Sequence, residues 1–85
     1  MVIVRTERFK RDFQALPAEV RGRLRKALEL FSTDPRHPSL RLKKMEGAPG
    51  VWELRVTQNY RVTVQYDGEA VILPRVGTHD VLRRP

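Results

Sequence analysis

Trp52-Glu53-Leu54-Arg55-Val56 and Tyr60-Arg61-Val62-Thr63-Val64-Gln65-Tyr66 decide how this chain folds. Apolar and polar residues alternate through both stretches, a period of two that buries one face of a strand and leaves Arg55 and Arg61 on the other. Keeping Val56 and Tyr60 on the same face as Trp52, Leu54, Val62 and Val64 requires a three-residue hairpin loop, Thr57-Gln58-Asn59, with Asn59 where such loops favour a left-handed residue. In that register Trp52 faces Val64, Leu54 faces Val62, and Arg55 lies directly opposite Arg61. Like charges at opposed sheet positions repel, so the two arginines are either fully solvated or seat an anion.

Working outward from the hairpin, Asp67-Gly68 reads as a second turn leading into a third strand. A two-residue loop would turn Arg75 inward, whereas a three-residue loop through Glu69, the register preferred here, puts Ile72 and Val76 inside and Arg75 outside. Pro74 lacks a ladder donor, which favours an edge position for this strand and places the N-terminal strand on the opposite side of the sheet. That strand is read at Val2 to Thr6. Phe9, Phe13 and Leu16 then recur at helical spacing behind a Thr6 N-cap and Glu7 in the first turn. Pro17 ends this helix and suits the first turn of a second, whose stripe is Val20, Leu24, Ala27, Leu28 and Phe31. Residues 32–50 hold three prolines, two glycines and the basic group Arg36, His37, Arg41, Lys43 and Lys44, and read as an ordered loop. The expected fold is α+β, a two-layer sandwich in the order βααβββ. An antiparallel helix hairpin packs on one face of a mainly antiparallel four-stranded sheet.

The 85 residues make a single domain, too small to enclose a deep cofactor cleft. Seventeen Lys and Arg against ten Asp and Glu give a charge of +7 and an isoelectric point near 10.8, which calls for a polyanionic partner: RNA, DNA or an acidic protein. There is no cysteine, hence no disulfide framework and no thiolate metal site, which fits a cytoplasmic protein. Nothing resembles a signal peptide or a membrane span. Two isolated histidines without carboxylates at ligand spacing do not build a metal centre, and no cofactor is expected.

The face away from the helices is expected to gather Arg55, Arg61 and Arg75, with Gly77 and His79 continuing the same parity and Lys43 and Lys44 arriving from the loop. Several cations around one group that titrates near neutrality suit cleavage of an RNA phosphodiester by its own 2′-hydroxyl. His79 is the candidate for proton transfer, whereas His37, between Arg36 and Pro38, suits a structural role. Arg41, Lys43, Arg55 and Arg75 are candidate RNA contacts. The helix cations Arg21, Arg23, Arg25 and Lys26 read as a solvated face. Trp52, Tyr60 and Tyr66 have core parity and are not expected to stack on bases.

Lys43-Lys44-Met45-Glu46-Gly47, Trp52-Glu53-Leu54-Arg55-Val56, Tyr60-Arg61-Val62 and Val76-Gly77-Thr78-His79-Asp80, in this order, resemble the RelE/ParE superfamily of toxins from type II toxin–antitoxin modules. The Gly-Thr-His ending is most similar to the YafQ-type branch. The resemblance implies a ribosome-dependent mRNA endonuclease that inhibits translation and is held inactive by a co-encoded antitoxin. It assigns catalysis to Lys44, Arg61 and His79. Many relatives carry an aromatic residue near the C-terminus, where this chain has Val81-Leu82-Arg83-Arg84-Pro85, which moves the burden onto His79. Two alternatives stand beside this one: a ParE-like toxin acting on DNA gyrase, and a catalytically weak relative that binds RNA or the ribosome.

Overall fold

In the computed structural model, which describes residues 1–83 and only the backbone of Val81 and Leu82, two helices cover one face of a six-stranded, mostly antiparallel sheet. The strands are β1 (Val2–Arg5), β2 (Lys43–Lys44), β3 (Val51–Arg55), β4 (Arg61–Asp67), β5 (Ala70–Leu73) and β6 (Val76–Gly77). The helices are α1 (Glu7–Gln14), α2 (Ala18–Thr33) and a short α3 (His79–Arg83), with a 3₁₀ turn at Pro38–Leu40. The α+β class is as expected. The two additional strands are β2, inside the stretch read as loop, and β6, separated from β5 by Pro74 and Arg75. Arg84 and Pro85, the end of the expected tail, lie outside the described residues.

Helix α1 begins where the sequence says it should. Thr6 is its N-cap, and the hydroxyl accepts from the Phe9 N–H at 3.1 Å. The same hydroxyl donates toward the carbonyls of Leu73 and Pro74 at 3.1 and 2.9 Å, tying the helix start to the end of β5. Pro17 stands at the N-cap of α2, just before its first residue, and Arg21 Nη1 donates to the Leu16 carbonyl at 3.0 Å across the joint. Phe9, Leu16, Val20, Leu24 and Phe31 meet Leu54, Val62, Val64, Val71, Leu73 and Val76 to form the core. Each such side chain contributes roughly 1.5–3 kcal/mol on full burial.

The sheet order is β1-β5-β4-β3-β2, with β6 also paired to β4. The β3–β4 register is the expected one: Trp52 opposite Val64, Leu54 opposite Val62, Arg55 opposite Arg61. The loop differs in detail. Arg41 is the only non-glycine residue of positive φ among those described, so Asn59 is not left-handed. Instead the Thr57 hydroxyl accepts from the N–H groups of Asn59 and Tyr60, at 3.3 and 3.2 Å, and the Tyr60 carbonyl accepts from the N–H groups of Val56 and Thr57, at 3.0 and 3.3 Å.

The second hairpin corrects two expectations. Asp67 pairs with Ala70, so the turn is the two-residue Gly68-Glu69, with Gly68 at φ +59. Its parity puts Val71 and Leu73 inside, rather than Ile72. The ladder then slips by one residue. Gln65 pairs with Ile72, whereas Val62 pairs with Val76, and the extra residue forms a bulge at Pro74-Arg75 opposite Thr63. The bulge restores Val76 to the core and gives Pro74 a place where no ladder donor is needed. Strand β5 is thus interior, and β1 pairs with it in parallel, Val2 opposite Ala70 through Arg5 opposite Leu73, rather than joining the far edge. The far edge is β2.

Candidate functional site

The register lays out two rows across the sheet on the face away from α1 and α2. Lys43, Glu53 and Thr63 form one row; Arg55, Arg61 and Gly77 form the other. His79 follows two residues after Gly77, exposed, at the start of α3. Arg61 thus lies opposite Gly77, two residues before His79, and the strand parity expected to continue to His79 ends where α3 begins.

The centre of this face is not an empty anion seat. Glu53 is 8% exposed. Its Oε1 lies 3.6 Å from Lys43 Nζ and 3.9 Å from Arg61 Nε, contacts longer than hydrogen bonds and therefore chiefly coulombic. Arg61 is also engaged by the hairpin: Nη1 donates to the carbonyls of Thr57, Gln58 (3.0 Å) and Tyr60 (3.1 Å). Its Nη2 has no protein partner among the described residues. The guanidinium is thus held by its neighbours and keeps one nitrogen directed to no internal acceptor. Glu53 was legible in principle, because alternation puts it on the arginine face beside Arg55.

Lys44 and Arg75 stand elsewhere than expected. Lys44 pairs with Trp52 and has the other parity; its Nζ lies 5.5 Å from the centre of the Trp52 ring, a cation–π contact on the helix-side face. Lys43, not Lys44, shares the face of Arg61. Arg75 turns to α1, where Nε and Nη2 donate to the two carboxylate oxygens of Asp12 at 3.0 and 2.9 Å. The Asp12 hydrogen bonds hold the Arg75 guanidinium above its usual pKa, with burial opposing. Asp12 also accepts the Val76 N–H at 3.2 Å, so the pair clamps the bulge. The cause is the two-residue turn: with Val71 and Leu73 inside, the same parity carries Arg75 to the helix side, where a three-residue loop would have kept it on the face of Arg61.

The remaining candidates are peripheral. Arg55 makes no hydrogen bond or ion pair among the described residues and borders a shallow cleft with Arg23 and Lys26. Arg23, Arg25 and Lys26 are exposed, as a solvated face requires, and Arg25 lies over the Phe13 ring at 5.3 Å. Arg41 is exposed at φ +48 after the 3₁₀ turn. His37 caps that turn, its Nδ1 accepting from the Ser39 N–H at 3.2 Å, the structural role expected of it. A concavity of about 560 Å³ lies between β1 and the helices, with Phe9, Phe13, Leu24 and Leu28 in its lining and His79 outside it. Among the described residues no helix is long and apolar enough to cross a membrane.

With this geometry in hand, comparison with solved structures is informative. YafQ from Escherichia coli BL21(DE3) superposes with a TM-score of 0.76 at 16% identity, covering 94% of each chain. The YoeB/ParE toxin from Agrobacterium tumefaciens gives 0.76 at 18% identity, over 93% of this chain and 99% of that one. A chain of the intact E. coli RelBE toxin–antitoxin complex gives 0.70 at 25% identity, over 91% and 94%. The chain matches no protein-family model, and no curated protein matches it by sequence. It has the fold of the RelE/ParE superfamily of toxins, the family that its motifs resemble. Its neighbours in fold are toxins of toxin–antitoxin systems, some of them in complexes with their antitoxins.

Proposed function

We propose that this protein is the toxin of a type II toxin–antitoxin module and inhibits translation as a metal-independent endoribonuclease, cutting mRNA on the ribosome. The observation that carries this reading is the row Arg55–Arg61–Gly77, which leads straight to the exposed His79. In the reaction the RNA 2′-oxygen bonds to the adjacent phosphorus and the bond to the 5′-oxygen breaks. The products are a 2′,3′-cyclic phosphate and a 5′-hydroxyl. One proton leaves the 2′-oxygen and one reaches the 5′-oxygen; His79 is the group assigned to proton transfer. Arg61, through its unpartnered Nη2, and Lys43 neutralise the scissile phosphate as charge builds on it. Lys44, on the other side of the edge strand, engages a flanking phosphate. Arg55 and Arg41 add to RNA binding, and Arg75 supports it indirectly by fixing the bulge before Gly77. The partner in the resting state is a co-encoded, acidic antitoxin, in keeping with the +7 charge of the chain and with the antitoxin complexes among its fold neighbours.

A positioned proton-transfer group contributes roughly 10²–10⁴-fold. His79→Ala should lose cleavage by that factor in a toeprint of a ribosome-bound message while still binding ribosomes, and EDTA should not inhibit the wild type. Equal cutting by the variant removes His79 from the mechanism. A second reading, a catalytically weak RNA-binding relative, is favoured by Glu53 standing between Lys43 and Arg61. It predicts ribosome binding without cutting by either protein. The gyrase alternative is separated by pulse labelling in cells expressing the protein alone, where DNA synthesis rather than protein synthesis would stop first.

A further inference from the structure

Trp52 and Tyr66 have the helix-side parity of β3 and β4, yet they are not sealed in the core. Trp52 is partly buried and Tyr66 is 46% exposed. Their rings meet edge to face, with centroids 5.9 Å apart and planes at 90°. Lys44 Nζ stands 5.5 Å from the centre of the Trp52 ring. Burial holds the Tyr66 phenol above its usual pKa, and the charge of Arg36 opposes that rise. Lys44 and Arg36 are both exposed, and neither has a carboxylate partner among the described residues. A single exposed aromatic ring needs no explanation. Two touching rings with an unneutralised cation against one of them are the elements from which proteins build platforms for single-stranded nucleic acid: a π face for a base, a cation for the phosphate beside it. An acidic peptide would satisfy the cations and leave the rings unused.

We propose that Trp52 and Tyr66, with Lys44 at the Trp52 ring, form a second site that stacks bases of single-stranded RNA on the face of the sheet opposite Arg61. The site is independent of the proton-transfer chemistry at His79. Strand β2 is the hinge of the arrangement in space, since its two residues send Lys43 to the Glu53 face and Lys44 to the aromatic face.

Trp52 is the only tryptophan of the chain, so its fluorescence reports this site alone. The probe is a 2′-O-methyl oligouridine hexamer, which lacks the nucleophile and cannot be cut, so the result does not depend on nuclease activity. Titration into the wild type should quench Trp52 saturably. Tyr66→Ala should weaken the binding that the quench reports by about 5- to 100-fold, and Tyr66→Phe should restore it, since stacking needs the ring and not the hydroxyl. Lys44→Gln should flatten the dependence of log affinity on log salt by about 0.7, the loss of one phosphate contact to a single strand. Arg61→Gln should leave the quench in place. Because Tyr66 is half exposed, Tyr66→Ala is expected to fold, which circular dichroism checks. The proposal is overturned if the hexamer binds, by anisotropy, without quenching Trp52, or if Tyr66→Ala binds as wild type does. It is equally overturned if oligoglutamate quenches Trp52 and the hexamer does not, which would assign the patch to a protein partner.

Discussion

Arg61 and Arg75 look alike in the sequence, each in an alternating strand and each expected on the same bare face, but the fold treats them in opposite ways. Arg61 sits in an unbroken ladder, donates to the carbonyls of its own hairpin loop and keeps Nη2 without an internal partner. Arg75, at the bulge, continues the helix-side parity of Val71 and Leu73 and gives the Nε–Nη2 edge of its guanidinium to Asp12. A period of two assigns faces only once the register is fixed, because one residue more or less in the preceding turn reverses every assignment beyond it. The difference separates an arginine available for function from one consumed by structure.

The largest effect should come from the consumed one. Asp12 accepts three hydrogen bonds, two from Arg75 and one from the Val76 N–H, at a site where both side chains are largely buried. Breaking such a pair from one side leaves a buried charge without its partner, so Asp12→Ala should lower the unfolding free energy by about 3 kcal/mol in urea titrations. Asp12→Asn, which keeps an acceptor for Val76, should cost less. A loss below about 1 kcal/mol for Asp12→Ala would mean that the clamp is dispensable and that the bulge is held by the Thr63 hydroxyl alone, which donates to the Arg75 carbonyl and accepts its N–H.

Arg61→Ala is next. Removing the guanidinium frees the Thr57, Gln58 and Tyr60 carbonyls and leaves Glu53 facing Lys43 only, so destabilisation of about 1–2 kcal/mol is expected by thermal melting. The sequence alone argues the reverse, a small gain from relieving the Arg55–Arg61 repulsion. Stabilisation on melting would show that the loop contacts are too weak to matter and would restore the picture of two solvated like charges.

What was legible follows the same division. The Trp52–Arg55 and Arg61–Gln65 pairings, the Thr6 cap and the core stripe of α2 were readable, since each depends on local periodicity or on a residue within one turn. The parallel partnership of β1 with β5 was not, because it depends on contacts 67 and 68 residues apart, Thr6 with Leu73 and Pro74. Pro74 was misleading for a definite reason: a residue without an N–H fits an edge strand or a bulge equally well, and only the Asp12 clamp and Val76 decide for the bulge. Of the candidate site, the row of Arg55, Arg61 and Gly77 was legible through parity, which ends before His79 because α3 begins there. The separation of Lys43 from Lys44 was not, because a two-residue strand has no period to read.

The free arginine can be probed further through Glu53. Glu53→Gln keeps the shape of the side chain and removes the charge that Lys43 and Arg61 share. Two unit charges near 4 Å in water interact by about 1 kcal/mol, so inorganic phosphate should bind that face about fivefold more tightly in the variant, measured by shifts of the Arg61 side-chain resonances. Glu19→Gln is the control, with the same change of net charge at an exposed pair on α2. Equal gains in both variants would reduce the effect to net charge and leave Glu53 with no local role.

The smallest effect belongs to Arg55, and it is the one expected to stabilise. Arg55 lies directly across from Arg61, has no hydrogen bond or ion pair among the described residues, and shares its cleft with Arg23 and Lys26. Nothing in its surroundings offsets the repulsion, whereas Arg61 is offset by three carbonyls and Glu53. Thr suits a strand and carries no charge, so Arg55→Thr should raise the unfolding free energy by up to about 1 kcal/mol, the size of a cross-strand pair effect. The gain should shrink in high salt, because the repulsion it removes is screened there. In an Arg61→Ala background the same substitution should give nothing further, since the opposing charge is already gone. An undiminished gain in that background would trace the instability to Arg23 and Lys26 instead, and would move the unbalanced charge of this protein from the sheet face to the cleft beside α2.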